Sequence, residues 1–180
     1  VRPVTEPSVP EPIRNFAKWE HIRDAELANP SFTAAGLSGL DETRNREWLA
    51  LAASASGLPF PVLLARVNAF FNHWPYTKDE PEDRWTTPRE FAALSGDCEE
   101  YAIAKYYALR FLGVPPDGLR ITAVWNARRG EDHALLAVNT EAGALLLDCV
   151  TDTLLTWENA QHYSPGFSVN EDFLWKLPPE

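Results

Sequence analysis

The chain has 180 residues and a formal net charge of -10, and its composition is 45% hydrophobic and 12% aromatic. It is long enough for one domain with its own core and too apolar to be intrinsically disordered. The acidic balance argues against a nucleic-acid partner, which requires a basic surface, and against binding to an anionic membrane surface. The sequence has no run of about 18 apolar residues, so no direct membrane insertion is expected.

The predicted elements change from helical to extended along the chain. Residues 1–12 contain four prolines and are expected to form an extended leader, followed by a single domain over residues 13–180. Apolar periodicity and capping residues predict helices over about 13–29, 41–56, 61–72, 88–94 and 98–112. Apolar runs of strand length, separated by polar turns, follow at 119–126, 133–139 and 144–150. The tail, about 151–180, is expected to be irregular. Helices followed by an antiparallel sheet predict an α+β fold.

The helix predicted from Cys98 begins with acidic residues on both sides of the cysteine. Asp97 fits the N-cap position and Glu100 lies three residues later, which is a capping-box pattern. Cys98 is then the first helical residue, where unpaired backbone N–H groups and the helix dipole favour a thiolate. The carboxylates act in the opposite direction, because they repel a thiolate. The pattern is compatible with a reactive thiol and equally with an inert cysteine in an ordinary capped helix.

His133 and Asp148 are polar residues attached to the apolar runs that follow. If residues 140–143 form the hairpin loop with a left-handed glycine, Asn139 pairs with Ala144. Asp148 then lies on the same face as His133 and diagonally across from it, within side-chain reach. A loop one residue shorter would place the two side chains on opposite faces, so the proximity depends on the turn.

These three residues have the chemistry of a Cys-His-Asp triad. His133 would be the base that activates Cys98, and Asp148 would orient the imidazole. Strand alternation places Cys149 on the face opposite Asp148, where we expect it in the core and not in a disulfide with Cys98. The alternative is a capped helix packed on a sheet, with a histidine that has no catalytic role. Asn72, Tyr76 and Trp85 precede the Cys98 helix; they are candidate oxyanion donors, although residues of this kind more often serve as core or loop anchors.

Three stretches of the sequence together resemble the bacterial transglutaminase-like cysteine proteinases. They are SGDCEEYAIAKYYALRFLGVPPDGLRITAVW, DHALLAVN and LLLDCV, within a similarity that extends over about residues 60–150. The resemblance implies a papain/transglutaminase-like fold, in which N-terminal helices precede a nucleophile helix packed on an antiparallel β-sheet. It also implies that Cys98 is the nucleophile of a cysteine protease, His133 the base and Asp148 the residue that orients the base.

The same resemblance implies a periplasmic endopeptidase, whose export signal would have been removed before Val1. The implied substrate is a very large surface adhesin, cut near its N-terminus at a dialanine site, so that cleavage controls biofilm attachment. The implied partner is an inner-membrane receptor that senses cyclic di-GMP and sequesters the protease. Transglutaminase-type acyl transfer by the same three residues and a catalytically silent binding module remain as alternatives.

The resemblance further implies calcium dependence, with Asp97, Glu99 and Glu100 as ligands. Carboxylate oxygens are ligands that Ca²⁺ prefers, and the sequence has neither an EF-hand loop nor a Cys/His pattern typical of zinc. A bound cation would offset the field of these acids at Cys98, whereas the alternative is that they only cap and solvate the helix. Three residues depart from the family's pattern: Glu100 stands where Asp is common, Cys149 where Asn is common and Ala134 where Met is common. The loop between Asp79 and Trp85 is also short for the family.

Overall fold

The computed structural model describes residues 10–13, 16–78 and 84–176 of the chain. The helices within these ranges are α1 (Ala17–Ala28), α2 (Glu42–Ser54), α3 (Phe60–Asn72), α4 (Pro88–Leu94) and α5 (Cys98–Phe111). The strands are β1 (Glu11–Pro12), β2 (Phe32–Thr33), β3 (Gly36–Leu37), β4 (Leu119–Asn126), β5 (Glu131–Thr140), β6 (Gly143–Leu147), β7 (Tyr163–Val169) and β8 (Phe173–Lys176). Residues 1–9 of the predicted leader lie outside the described residues. No helix in the described part of the chain combines the length and the apolarity needed to cross a membrane.

Six strands form one antiparallel sheet in the order β1-β8-β7-β4-β5-β6, and β2 and β3 form a separate small hairpin. The predicted α+β class, with helices first and a nucleophile helix packed on an antiparallel sheet, is confirmed. The expectation of an irregular tail is wrong, because the tail supplies β7 and β8. Pro165 and Gly166 obscure β7 in the sequence, and the register of β7 against β4 shifts between Ala123 and Val124. A bulge of this kind accommodates residues that an unbroken ladder disfavours.

Helix α5 packs against β5 and β4 and forms the centre of the core. Its Tyr101 and Tyr106 are almost fully buried, and Trp19 of α1 packs edge-on against Tyr106 with ring centroids 5.6 Å apart. Gly113 follows the helix with a φ of +92°, the left-handed conformation that commonly ends a helix. Since α5 begins at Cys98 and β5 contains His133, this packing fixes the start of the helix relative to the strand.

The β5–β6 hairpin has the register that the sequence predicted. Asn139 pairs with Ala144, and Gly143 takes a φ of +114°. A residue with a Cβ is disfavoured at that φ, so the glycine permits the turn that sets the register. Strand β6 ends at Leu147, and Asp148 follows in the turn immediately after it.

Candidate active site

The start of α5 is held by the carboxylate of Glu100. Asp97 is the N-cap residue and forms a capping box with Glu100, whose Oε2 accepts the Asp97 N–H at 3.1 Å. Its Oε1 accepts the backbone N–H of Thr86 at 3.0 Å. Gly96 leaves room for this side chain, because a Cβ there would lie 2.6 Å from Glu100 Cγ. The predicted capping box is present, and the buried Glu100 carboxylate is already committed to two backbone donors.

Cys98 is the first residue of α5, and its side chain is buried. The thiol donates a hydrogen bond to Glu99 Oε2 at 3.0 Å. Burial, followed by the negative charge and the hydrogen bond of Glu99, raises the pKa of Cys98 far above its usual range. No hydrogen bond joins Cys98 to His133 in the part of the chain that the structure describes. The thiol is therefore protonated in this arrangement, and its ionisation requires an additional positive charge nearby.

Asp97 and Glu99 lie beside this thiol. One oxygen of each carboxylate and the Cys98 sulfur all lie within 4.8 Å of one another. Burial, and then a hydrogen bond with Asp97, raises the pKa of Glu99 to about 9. At neutral pH the Glu99 carboxyl group therefore holds a proton, which a divalent cation would displace. Of the three predicted calcium ligands, the structure brings Asp97 and Glu99 together at the thiol, whereas the Glu100 carboxylate is engaged with backbone N–H groups.

His133 and Asp148 form a buried pair, as the hairpin register predicted. His133 Nε2 lies 2.8 Å from Asp148 Oδ1, and both side chains are almost inaccessible to solvent. Burial alone would raise the pKa of Asp148, but the hydrogen bond and the charge of His133 hold it below its usual value. An ionised carboxylate only accepts hydrogen bonds, so the imidazole proton belongs on Nε2. This leaves Nδ1 as the basic nitrogen of His133.

Tyr163 supports this pair, and no pattern in the sequence indicates its role. Its hydroxyl donates to Asp148 Oδ2 at 2.6 Å, and its ring stacks on that of His133 with centroids 5.4 Å apart. The backbone N–H of Val150 donates to Asp148 Oδ1 at 3.1 Å. Three donors therefore fix the Asp148 carboxylate. Tyr163 comes from β7, a strand that the apolar pattern did not reveal.

The expected orientation of Cys149 is wrong. Alternation holds only within a strand, and β6 stops at Leu147, where the chain turns. The Cys149 sulfur lies within 4.8 Å of an Asp148 carboxylate oxygen and a His133 ring nitrogen, so it belongs to the same cluster. Burial, and then the charge of Asp148, raises the pKa of Cys149 to about 12. Cys149 and Cys98 are both free thiols, as expected.

Asn72 and Lys105 lie under the turn that carries Asp148. Asn72 Nδ2 donates to the carbonyl oxygens of Asp148 and Thr151, each at 2.9 Å, and Lys105 Nζ donates to Asn72 Oδ1 at 2.7 Å. Lys105 is fully buried, and burial lowers its pKa to about 8. The Asn72 amide, a candidate oxyanion donor in the sequence, is therefore occupied in positioning this turn.

The other two candidate oxyanion donors differ in exposure. Trp85 is buried, and its ring packs edge-on against Phe16 with centroids 5.1 Å apart, as a core anchor does. Tyr76 is 55% exposed and stacks on Tyr101 of α5 with centroids 6.0 Å apart. The backbone N–H groups at the start of α5 are the remaining donors beside the thiol.

Comparison with known proteins gives a consistent result. A sequence model described as bacterial transglutaminase-like cysteine proteinase matches residues 62–175. No curated protein sequence matches at a significant level. Calcium-bound LapG of Legionella pneumophila is 30% identical, with a TM-score of 0.70 over 87% of this chain and 86% of that chain. The EGTA-treated form of LapG is 27% identical, with a TM-score of 0.68 over 95% of this chain and 87% of that chain.

Proposed function

The chain belongs to the bacterial transglutaminase-like cysteine proteinases, and from that membership we propose that it is a calcium-dependent endopeptidase of the periplasm. We propose that it cleaves a large surface adhesin near its N-terminus at a dialanine site and so controls biofilm attachment. The observation that carries the catalytic part is the buried pair of His133 and Asp148, 2.8 Å apart. It occurs in a fold where a helix that begins with a cysteine packs against the strand of the histidine.

In the proposed reaction, His133 Nδ1 takes the proton of the Cys98 thiol, and the sulfur attacks the scissile carbonyl carbon. Asp148 accepts the Nε2–H and stabilises the imidazolium that forms. Backbone N–H groups at the start of α5 donate to the developing oxyanion. The imidazolium then gives its proton to the leaving amine, and a water molecule hydrolyses the thioester to restore the Cys98 thiol.

The donor set at the start of α5 fits calcium. Asp97 and Glu99 offer carboxylate oxygens close to the Cys98 sulfur, and Glu99 holds a proton that a dication would displace. LapG, the similar protein, has a calcium-bound structure. Calcium would supply positive charge beside Cys98 and lower the cost of forming the thiolate. Glu100 remains a proposed ligand, although its two backbone hydrogen bonds also give it a role in shaping the site.

The substrate, the partner and the compartment are proposed from the family resemblance. The partner would be an inner-membrane receptor that senses cyclic di-GMP and sequesters the enzyme. Binding of the purified chain to the full-length receptor in nanodiscs, with and without cyclic di-GMP, tests this assignment. Cell fractionation of the tagged protein tests the periplasmic location. Binding that does not change with cyclic di-GMP would contradict the proposed partner. Recovery of the protein in the cytosol would contradict the periplasmic location.

The catalytic proposal is tested by digesting an N-terminal adhesin fragment that contains a dialanine site. We expect the wild type to cleave it with calcium and to stop with EGTA, and we expect Cys98→Ala to be inactive in both conditions. A fragment with both alanines replaced by arginine is the matched substrate control. Intact mass distinguishes hydrolysis, which adds one water across two products, from acyl transfer, which joins two chains with loss of ammonia. Cleavage by Cys98→Ala at the wild-type rate would exclude the proposed mechanism.

A further inference from the structure

The active-site region contains a second group of metal-ligating side chains, which differs in chemistry from the acidic one. His133, Asp148 and Cys149 each place one ligand atom within 4.8 Å of the other two. A set of imidazole nitrogen, carboxylate oxygen and thiolate sulfur is suited to Zn²⁺ and unsuited to Ca²⁺. We propose that these three residues form an inhibitory binding site for Zn²⁺ or a similar transition metal. The binding claim stands on this cluster alone, whereas the inhibition claim rests on the proposed peptidase function.

The geometry is close to that of a zinc site. Zinc bonds of about 2.0–2.3 Å place neighbouring tetrahedral ligands roughly 3.3–3.8 Å apart. His133 Nε2 and Asp148 Oδ1, at 2.8 Å, must separate slightly, while the Cys149 sulfur already lies within 4.8 Å of a ligand atom of each residue. Of the three ligands, Cys149 is the one that is only partly buried, and it lies in a turn beside Val150, which is 49% exposed, so an ion would enter from the side of this turn.

The charges of the cluster favour a dication. Asp148 is ionised, and Cys149 becomes a thiolate on binding the metal, which gives two negative charges at the site. The buried Lys105 contributes one positive charge that acts on both residues. With a dication in place of the Cys149 proton, the local charge changes from zero to plus one, in a region that is largely shielded from water. The Lys105 ammonium therefore opposes the dication and at the same time favours the Cys149 thiolate that binds it, whereas the two anionic ligands attract the dication.

Zinc binding releases one proton to solvent and moves another within the imidazole of His133. The S–H bond of Cys149 is replaced by a sulfur–zinc bond, and its proton leaves to solvent. The Nε2 lone pair of His133 binds the metal, so the imidazole proton moves from Nε2 to Nδ1. With a proton on Nδ1, the imidazole has no basic nitrogen left to receive the Cys98 proton. Asp148, now a ligand of the metal, no longer orients the ring as it does in the metal-free pair.

Cobalt is the probe for the binding claim, because a Co²⁺–thiolate bond gives a charge-transfer absorption band that other ligands lack. We expect Co²⁺ to produce this band at one ion per chain in wild type and in Cys98→Ala. We expect the band to be absent in Cys149→Ala and Cys149→Ser, and to disappear when Zn²⁺, but not Ca²⁺, is added. Absence of the band in wild type would overturn the proposal. So would a band that persists in both Cys149 variants and disappears in Cys98→Ala, since the metal would then lie at the acidic cluster.

The inhibition claim is measured on proteolysis in excess calcium, each variant relative to its own zinc-free rate. We expect Zn²⁺ to inhibit the wild type reversibly, and a zinc-selective chelator to restore the rate. The zinc concentration for half inhibition should rise at least about tenfold in Cys149→Ser. Equal zinc sensitivity in both proteins would overturn the claim. A cobalt band with the expected variant pattern, in a chain that cleaves no adhesin fragment, would leave the metal site standing and remove the proposed function instead.

Discussion

The substitution Asp148→Asn tests the His133–Asp148 pair most directly. In the wild type, His133 Nε2 lies 2.8 Å from Asp148 Oδ1, which also accepts the Val150 N–H. The side-chain oxygen of the asparagine can take the place of this Oδ1 and accept both hydrogen bonds. The amide group then faces Tyr163, whose hydroxyl oxygen can accept from it. The variant should therefore fold with the imidazole in its present orientation. What it lacks is the negative charge that stabilises the imidazolium formed when Cys98 is deprotonated.

The size of the effect follows from the geometry. Each charge is shared by two atoms, so the effective separation exceeds the 2.8 Å contact and is about 4 Å. At that separation, with an effective dielectric constant of about 20, the interaction is about 4 kcal/mol. The imidazolium exists only along the reaction, so this loss raises the activation barrier. A barrier raised by about 4 kcal/mol corresponds to about 10³-fold in rate.

The assay is kcat/KM on the adhesin fragment together with the rate of Cys98 alkylation by iodoacetamide, both in excess calcium. Tyr163→Phe is the matched control, because it removes a hydrogen bond to Asp148 and leaves the charge in place. We expect this control to lose less than about tenfold in rate and about 1.5–3 kcal/mol in stability. A kcat/KM for Asp148→Asn within about tenfold of wild type, with an unchanged melting temperature, would refute the electrostatic argument.

Three further outcomes are expected. Glu99→Gln should abolish the calcium stimulation of proteolysis, because it removes a charged ligand; stimulation equal to wild type in a calcium titration would contradict this. Asn72→Ala should lower the free energy of unfolding by about 3 kcal/mol in urea, because Lys105 loses its hydrogen-bond partner. For Lys105→Met, the free energy of unfolding is compared with that of wild type as a function of pH. The folded pKa of about 8 lies below the unfolded value of about 10.4, so the unfolded chain binds more protons between these pH values. Wild type should gain roughly 3 kcal/mol over Lys105→Met as pH rises through this window, and parallel curves would refute the assignment.

Local rules accounted for the parts of the site that lie within one or two elements. The capping box around Cys98 involves residues three positions apart, and the hairpin register follows from one glycine turn. The approach of His133 to Asp148 followed from that register by counting residues. In each of these cases the contact partners are close in sequence, so periodicity and turn chemistry determine them.

The features that escaped prediction depend on tertiary structure. Strand alternation places Cys149 on the wrong side, because tertiary surroundings determine where a strand ends and alternation does not indicate that point. Tyr163 reaches Asp148 from a strand that contains a proline and a glycine. Asn72 contacts a turn 76 residues away. No local pattern encodes such a contact, since it arises when two separate elements pack together.

The Glu100 carboxylate also joins the starts of two helices. It accepts the N–H of Thr86, and the next residue, Thr87, is the N-cap of α4 in a capping box with Glu90. The backbone N–H of Thr86 therefore binds the Glu100 carboxylate of α5, and the next N–H, that of Thr87, binds Glu90 of α4. A displacement of Glu100 should therefore also move the first turn of α4. One carboxylate thus links the N-terminal turn of α5, which carries Cys98, to the N-terminal turn of α4. A substitution in the first turn of α4 should therefore alter how firmly Glu100 holds the start of α5, at a distance from every residue proposed to bind the ion.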